Sequence, residues 1–179
     1  MKNNEGFTLV EILAVIVILG VLMIIAIPSV TEYISGSRDN SFLTTVEKYI
    51  DAAIVEITNF EFSVNNEGTT YYIPTKCLEM ETDNNKSPYG EWKESYVVVT
   101  HTPEKNQYYY TGRDSSNHGI LLTHRDLLST DEIKTDIKSI NTGIGVGNRT
   151  KIVIYSDKCD GTRSESVATK KISENGKLE

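Results

Sequence analysis

The chain has 179 residues, a formal net charge of −7 and 39% apolar residues. That length holds one domain plus a membrane segment and excludes two ordinary domains. The acidic balance argues against a general nucleic-acid binder, which presents a basic face. The two cysteines, Cys77 and Cys159, lie in no C-x-x-C pair and give no zinc-like cluster.

The chain opens on a short polar leader, Met1-Lys2-Asn3-Asn4-Glu5-Gly6, in which Lys2 is the only basic side chain. From Phe7 to Val30 the sequence is almost wholly apolar. A helix of that length reaches about 35 Å, against a hydrocarbon core of roughly 30 Å. Lys2 ahead of it favours a cytoplasmic N-terminus, with the rest of the chain on the far side. The run is longer than the core of a secretory signal peptide, about 7–15 residues, and no small-residue cleavage site follows it. Glu11 is the anomaly. A carboxylate costs about 2.5–3.5 kcal/mol at mid-membrane and less near the interface, so it calls for a partner.

Gly6-Phe7-Thr8-Leu9-Val10-Glu11, followed by an unbroken apolar helix with Pro28, resembles the class III signal of type IV pilins and related pseudopilins. The resemblance covers the first 30 residues closely and the remainder only in the order of its parts. It implies that a membrane-embedded prepilin peptidase cuts after Gly6, where the missing Cβ lets the enzyme approach the peptide bond. Phe7 then becomes the N-terminal residue and is N-methylated. Its α-amino group and Glu11 form a charge pair, in the family between neighbouring subunits, so that two charges costly in lipid are matched on docking. Glu5 before the glycine, and a single lysine, depart mildly from the usual leader.

The resemblance further implies a non-enzymatic subunit without a cofactor. Its partners would be other pilin subunits, the peptidase, an assembly platform and a separate ATPase. The subunit would be stored in the cell membrane, then built into an extracellular fibre that contacts host surfaces or extracellular polymers. A pseudopilin of a type II secretion or DNA-uptake system shares the architecture and stays open. The expected divisions are a removed leader (1–6), an apolar membrane or filament-core helix (7–30), its amphipathic second half (31–62) and an exposed β-rich head (63–179).

Beyond Ser29 the pattern becomes one-sided. Val46, Tyr49, Ile50, Ala53, Ile54, Ile57 and Phe60 recur at helical spacing, while Glu47, Lys48, Asp51 and Glu56 fall off the stripe. One helix from Phe7 to about Phe60 follows. Pro28 removes a backbone hydrogen bond, and Gly20 and Gly36 are weak points. A static kink and a stretch from Gly20 to Pro28 that unwinds as a fibre extends, the latter implied by the resemblance, both stay open.

After Phe62 the reading is β-rich. Asn65–Gly68 is a turn, Thr69–Ile73 a strand stopped by Pro74, and Asp83–Pro88 a loop. Ser95–Thr100 and Gln107–Thr111 form a hairpin around Pro103–Asn106, and Gly119–Thr123 is a further strand. Leu127, Leu128, Ile133, Ile137 and Ile140 give Asp126–Ser139 a helical spacing, with Ser129 or Thr130 as its cap. Gly143–Asn148 reads as a mobile loop, Lys151–Tyr155 as a strand, and the last ten residues as weakly ordered. The fold class is α+β, a long helix packed on a small antiparallel sheet.

Outside the N-terminus the candidates have bland alternatives. An extracellular head favours a disulfide between Cys77 and Cys159, against two unpaired core cysteines. Gly143-x-Gly-x-Gly147 lacks the strand, helix and Lys-Ser/Thr of a phosphate loop. His101, His118 and His124 share no metal-binding spacing, and no nucleophile motif is present. Trp92 and Tyr108-Tyr109-Tyr110 read as an adhesive patch or as core. Alternation would bury Tyr109 and expose the other two, or the reverse. Asp157–Gly161 offers oxygen ligands near a turn, with an ordinary surface turn as the alternative.

Overall fold

The apolar run and the amphipathic stripe form a single helix, α1 (Leu9–Thr58), which continues through Pro28. The computed structural model describes residues 8–59, 61–80, 86–140, 142–146 and 150–172. Gly6 and Phe7 therefore lie outside the described residues, as do Phe60, 81–85, 147–149 and 173–179. The chain divides into two compact units, one up to Arg38 and one from Asp39 onward. In the first, every described residue is helical or, at Thr8, flanks the helix, and every side chain is exposed.

The second unit is built on a mixed sheet. Its strands are β1 (Thr69–Pro74), β2 (Lys86–Ser87), β3 (Gly90–His101), β4 (Asn106–Asp114), β5 (Gly119–His124), β6 (Ile144–Val146), β7 (Lys151–Tyr155), β8 (Arg163–Val167) and β9 (Lys170–Ile172). The main sheet runs β5-β4-β3-β1-β7-β8, with β2 beside β3, and β6 pairs with β9 separately. β1 pairs with β7 in parallel, so the sheet is not purely antiparallel as the sequence suggested. Its other pairings are antiparallel. Among the described residues there are also three short 3₁₀ turns, Thr75–Cys77, Arg125–Leu127 and Thr130–Glu132.

Period-two alternation sorts the strands into two buried faces. Tyr71, Ile73, Val97, Val99, Tyr110, Val153 and Tyr155 face one core, into which α1 inserts Phe42, Val46, Tyr49, Ile50 and Ala53. Their neighbours Tyr72, Val98, Tyr109 and Ile152 face a second core, closed by Leu122 and by Ile144 of β6. The Tyr72 hydroxyl donates to the Ile144 carbonyl at 2.8 Å and fixes that cover.

This second core corrects the expected alternation along Tyr108-Tyr109-Tyr110, and of the two readings of Trp92 the structure gives the core. Tyr109 and Tyr110 are both buried and Tyr108 is half-buried, because both sheet faces are covered. Trp92 is core, with its ring edge-on to Phe42, Tyr49 and Tyr110 at 5.1, 6.1 and 6.1 Å. Neither forms an exposed adhesive patch.

Three local readings also change. Asp126–Ser139 is not a helix: Gly119 and Lys134 exchange backbone hydrogen bonds, the Ile137 N–H donates to Asn117, and Asp136 has a left-handed φ of 61°. The sheet edge takes the amides that a helix would use, and Ser129 makes no side-chain cap. Ile144–Val146, read as part of a loop, is the strand β6, and Lys170–Ile172 of the tail is its partner β9. Lys86–Ser87, read as loop, pairs with Gly90–Glu91. The Asn65–Gly68 turn forms as expected, with Gly68 at a φ of +67° that suits glycine. At Gly119 an added Cβ would sit 2.0 Å from the Gly112 carbonyl oxygen, so only glycine lets β4 and β5 close there.

Candidate functional site

The N-terminal helix is the first candidate, and its start is built by two side chains. Thr8 flanks the helix and Glu11 lies three residues on. The Thr8 N–H and hydroxyl both donate to Glu11 Oε2 at 2.8 Å, and the Glu11 N–H donates back to Thr8 Oγ1 at 3.3 Å. This is a reciprocal capping box, which satisfies amides that a helix start leaves without partners. A carboxylate in the first turn also matches the positive end of the helix dipole. Glu11 is thus held at the mouth of the helix, next in space to Thr8, the residue that follows Phe7 in the chain. The Thr-x-x-Glu pattern was visible in the sequence as a capping box ahead of an apolar run. The sequence reading used only the charge of Glu11 and passed over Thr8.

From Leu9 to Ile34 the large apolar side chains stay exposed, between 45% and 85%. α1 contains a window apolar and long enough to cross a bilayer, with none of that window buried. Such a surface needs lipid or other helices around it. Pro28 cannot donate to the carbonyl one turn before it. Thr31 Oγ1 bonds the carbonyls of Ile27 and Pro28, at 3.1 and 2.8 Å, in the same stretch. Nothing lies within 4 Å of a Cβ added at Gly20 or Gly36.

In the second unit Cys77 and Cys159 are joined by a disulfide, 82 residues apart in sequence. It ties the turn after β1 to the turn after β7. Lys76 and Asp157 pair beside it at 2.7 Å, and that lysine holds the Asp157 carboxyl below its ordinary range. The histidines do not converge: His101 bonds Asn106, His118 stacks on Tyr89, and His124 accepts from the Asp126 N–H. Among the described residues no group of three His, Cys, Asp or Glu is placed to hold a metal ion. Gly143 and Gly145 flank Ile144 at the start of β6, while Gly147 lies outside the described residues.

Two buried acids were missed. Asp114 is fully buried at the β4–β5 turn and accepts from Ser87 Oγ, the Ser116 N–H and the His118 N–H at 2.8, 2.8 and 3.1 Å. Glu56 was placed off the apolar stripe, yet only 8% of it is exposed. It accepts from the Glu79 N–H, and burial pushes its carboxyl above the usual range. Its partner lies 23 residues on, beyond the reach of any helical pattern.

Residues 1–27 match the family described as the prokaryotic N-terminal methylation motif. Over 59 residues the chain is 41% identical to the type IV major alpha-pilin of Moraxella bovis, covering 31% of this chain and 37% of that protein. Over 59 residues it is 39% identical to fimbrial protein Q of the same organism, covering 31% of this chain and 38% of that protein. The chain therefore spans less than two fifths of the length of these curated relatives. No solved structure matches.

Proposed function

We propose that this chain, a type IV pilin-like protein bearing the N-terminal methylation motif, is a structural subunit of a type IV pilus and not an enzyme. The observation that carries the proposal is the motif at residues 1–27 leading into a helix whose apolar surface is left bare. A pilus subunit needs that combination: a processing signal, then a shaft that rests in lipid and later packs against other shafts.

In this reading the prepilin peptidase cleaves between Gly6 and Phe7, and Phe7 is N-methylated. The new amine is a cation at the membrane edge, and Glu11 is the anion that meets it on a neighbouring subunit. Each charge alone is costly in a low-dielectric setting, and the pair is less so. Docking therefore favours the one axial position at which both are matched. The capping box supports this role, because it holds the Glu11 carboxylate at the helix start through Thr8 instead of leaving it to swing with a long side chain. Energy for extrusion would come from a separate ATPase acting through an assembly platform. Before assembly the subunit spans the membrane with its N-terminus cytoplasmic. The second unit, from Asp39 onward, then forms the outer face of the fibre.

The test is immunogold labelling of surface fibres with antibody raised against the second unit. Labelled fibres that vanish on deletion of the gene support the proposal. Unlabelled fibres that persist, with lost secretion or DNA uptake, refute it.

A further inference from the structure

The last turns of α1 and the disulfide turn enclose a groove of about 650 Å³. Its volume falls within the range of about 300–1,000 Å³ typical of ligand-binding clefts. Part of its wall is apolar. Val55 lies on it with 56% of its surface exposed, and Phe62 and Tyr155 contribute rings edge-to-face at 4.9 Å. The disulfide itself forms another side.

The charge around this apolar surface is of one sign. Glu56, Glu61, Glu79 and Asp160 line the groove, and among the described residues no Lys, Arg or His does. Glu56 is nine-tenths buried, with one oxygen taken by the Glu79 N–H. Among the described residues the charged groups that act on it are Glu79 and Glu61, both acids, and the Glu79 N–H offsets them only in part. Lys76, the closest basic residue to Cys77 in sequence, is engaged with Asp157. A buried carboxylate facing only like charges is unfavourable by itself. A cation delivered from outside would relieve it, and carbon chains would cover Val55 and the two rings. An alkylammonium or guanidinium on a flexible stem has both parts, and its charge also suits an aromatic face.

We propose that this groove docks a segment of a partner protein in which basic and apolar side chains alternate. The basic side chain reaches Glu56, with Glu61 and Glu79 at the rim, and the apolar neighbour covers Val55 and Phe62. The proposal is independent of how the N-terminus is processed, so either can fail without the other.

The test uses the full chain in nonionic detergent micelles and the fluorescent peptide Gly-Lys-Leu-Gly-Lys-Leu-Gly, with serine replacing lysine in the control peptide. The lysine peptide should bind at least tenfold more tightly than the serine peptide and should protect amides of residues 52–62 from hydrogen exchange. Glu61→Gln with Glu79→Gln should weaken it at least tenfold. Both side chains are exposed, so the fold should survive, as thermal melting will show. Val55→Ser should weaken it separately. Glu67→Gln with Glu104→Gln removes the same charge outside the groove and should leave binding unchanged. Equal binding of the two peptides, equal loss in the outside pair, or retention by spermidine alone without the peptide would each overturn the proposal.

Discussion

Glu11 has two physical roles in the account, and substitution can separate them. As the last residue of the Thr-x-x-Glu capping box it accepts from the Thr8 N–H; as a charge it would, in the proposed assembly, pair with the amine of a neighbouring subunit. Glutamine can fill the first role, because the box works with Glu or Gln, but not the second. Thr8→Ala keeps the charge and removes the cap, at about 1 kcal/mol for a typical cap. Glu11→Gln leaves an ammonium facing a neutral amide, and breaking a buried pair costs about 3–5 kcal/mol. Docking affinity would then fall roughly 140- to 3,700-fold, at tenfold per 1.4 kcal/mol. The Thr8 variant would lose less than tenfold on the same scale. The assay is the fraction of each variant recovered in sheared surface fibres against the membrane fraction, with the wild-type subunit absent. Glu11→Gln should fail as completely as Glu11→Ala, while Thr8→Ala should still assemble. Normal fibres from Glu11→Gln and none from Thr8→Ala would show that the residue acts by shaping the helix start, and the pairing argument would be wrong.

Asp114→Ala strips three donors of their acceptor at a fully buried turn and should lower stability by about 3 kcal/mol in urea unfolding; a loss under about 0.5 kcal/mol, the scale of ordinary surface substitutions, would show that the turn is not held by it. Burial raises the Glu56 carboxyl above its ordinary 4.5, so the fold prefers the protonated form, and its contribution is complete below the ordinary value and lost as pH rises through the raised one. Glu56→Gln keeps an acceptor for the Glu79 N–H and cannot ionise, so its melting temperature should gain on the wild type as pH rises from about 4.5 to 7; a pH-independent difference would refute the linkage. Replacing Cys77 and Cys159 together with serine opens the long loop they close and should cost about 2–4 kcal/mol, read by chemical denaturation; unchanged stability would mean that the neighbouring contacts hold the two turns alone.

The elements that could be read in the sequence are those whose pattern is local. Val97-Val98-Val99 and Lys151–Tyr155 declare strands by β-branched residues, and Val46, Tyr49, Ile50 and Ala53 declare the buried side of α1 by spacing alone. Failure came where a distant partner decided the outcome. Leu127 to Ile140 carries a helical spacing, but Lys134 and Ile137 give their amides to Gly119 and Asn117, and Asp136 adopts a conformation that no helix allows. Tyr109 and Tyr110 defeated the one-wet-face assumption because Ile144 covers the second side of the sheet from a segment that reads as a glycine loop. β8 escaped notice since Arg163-Ser164-Glu165-Ser166 has no buried side chain and is a strand only through pairing with β7. At the N-terminus the capping box of Thr8 and Glu11 is written within one turn, three residues apart, yet only the charge of Glu11 was taken from the sequence.

The most direct test of the central claim is mass spectrometry of the protein's N-terminal peptide, taken from the membrane and from sheared surface material. The account predicts a chain beginning at Phe7 with one methyl group on its α-nitrogen, in both fractions. A chain that still carries residues 1–6 in the surface material would contradict it, because the amine proposed to meet Glu11 would not exist.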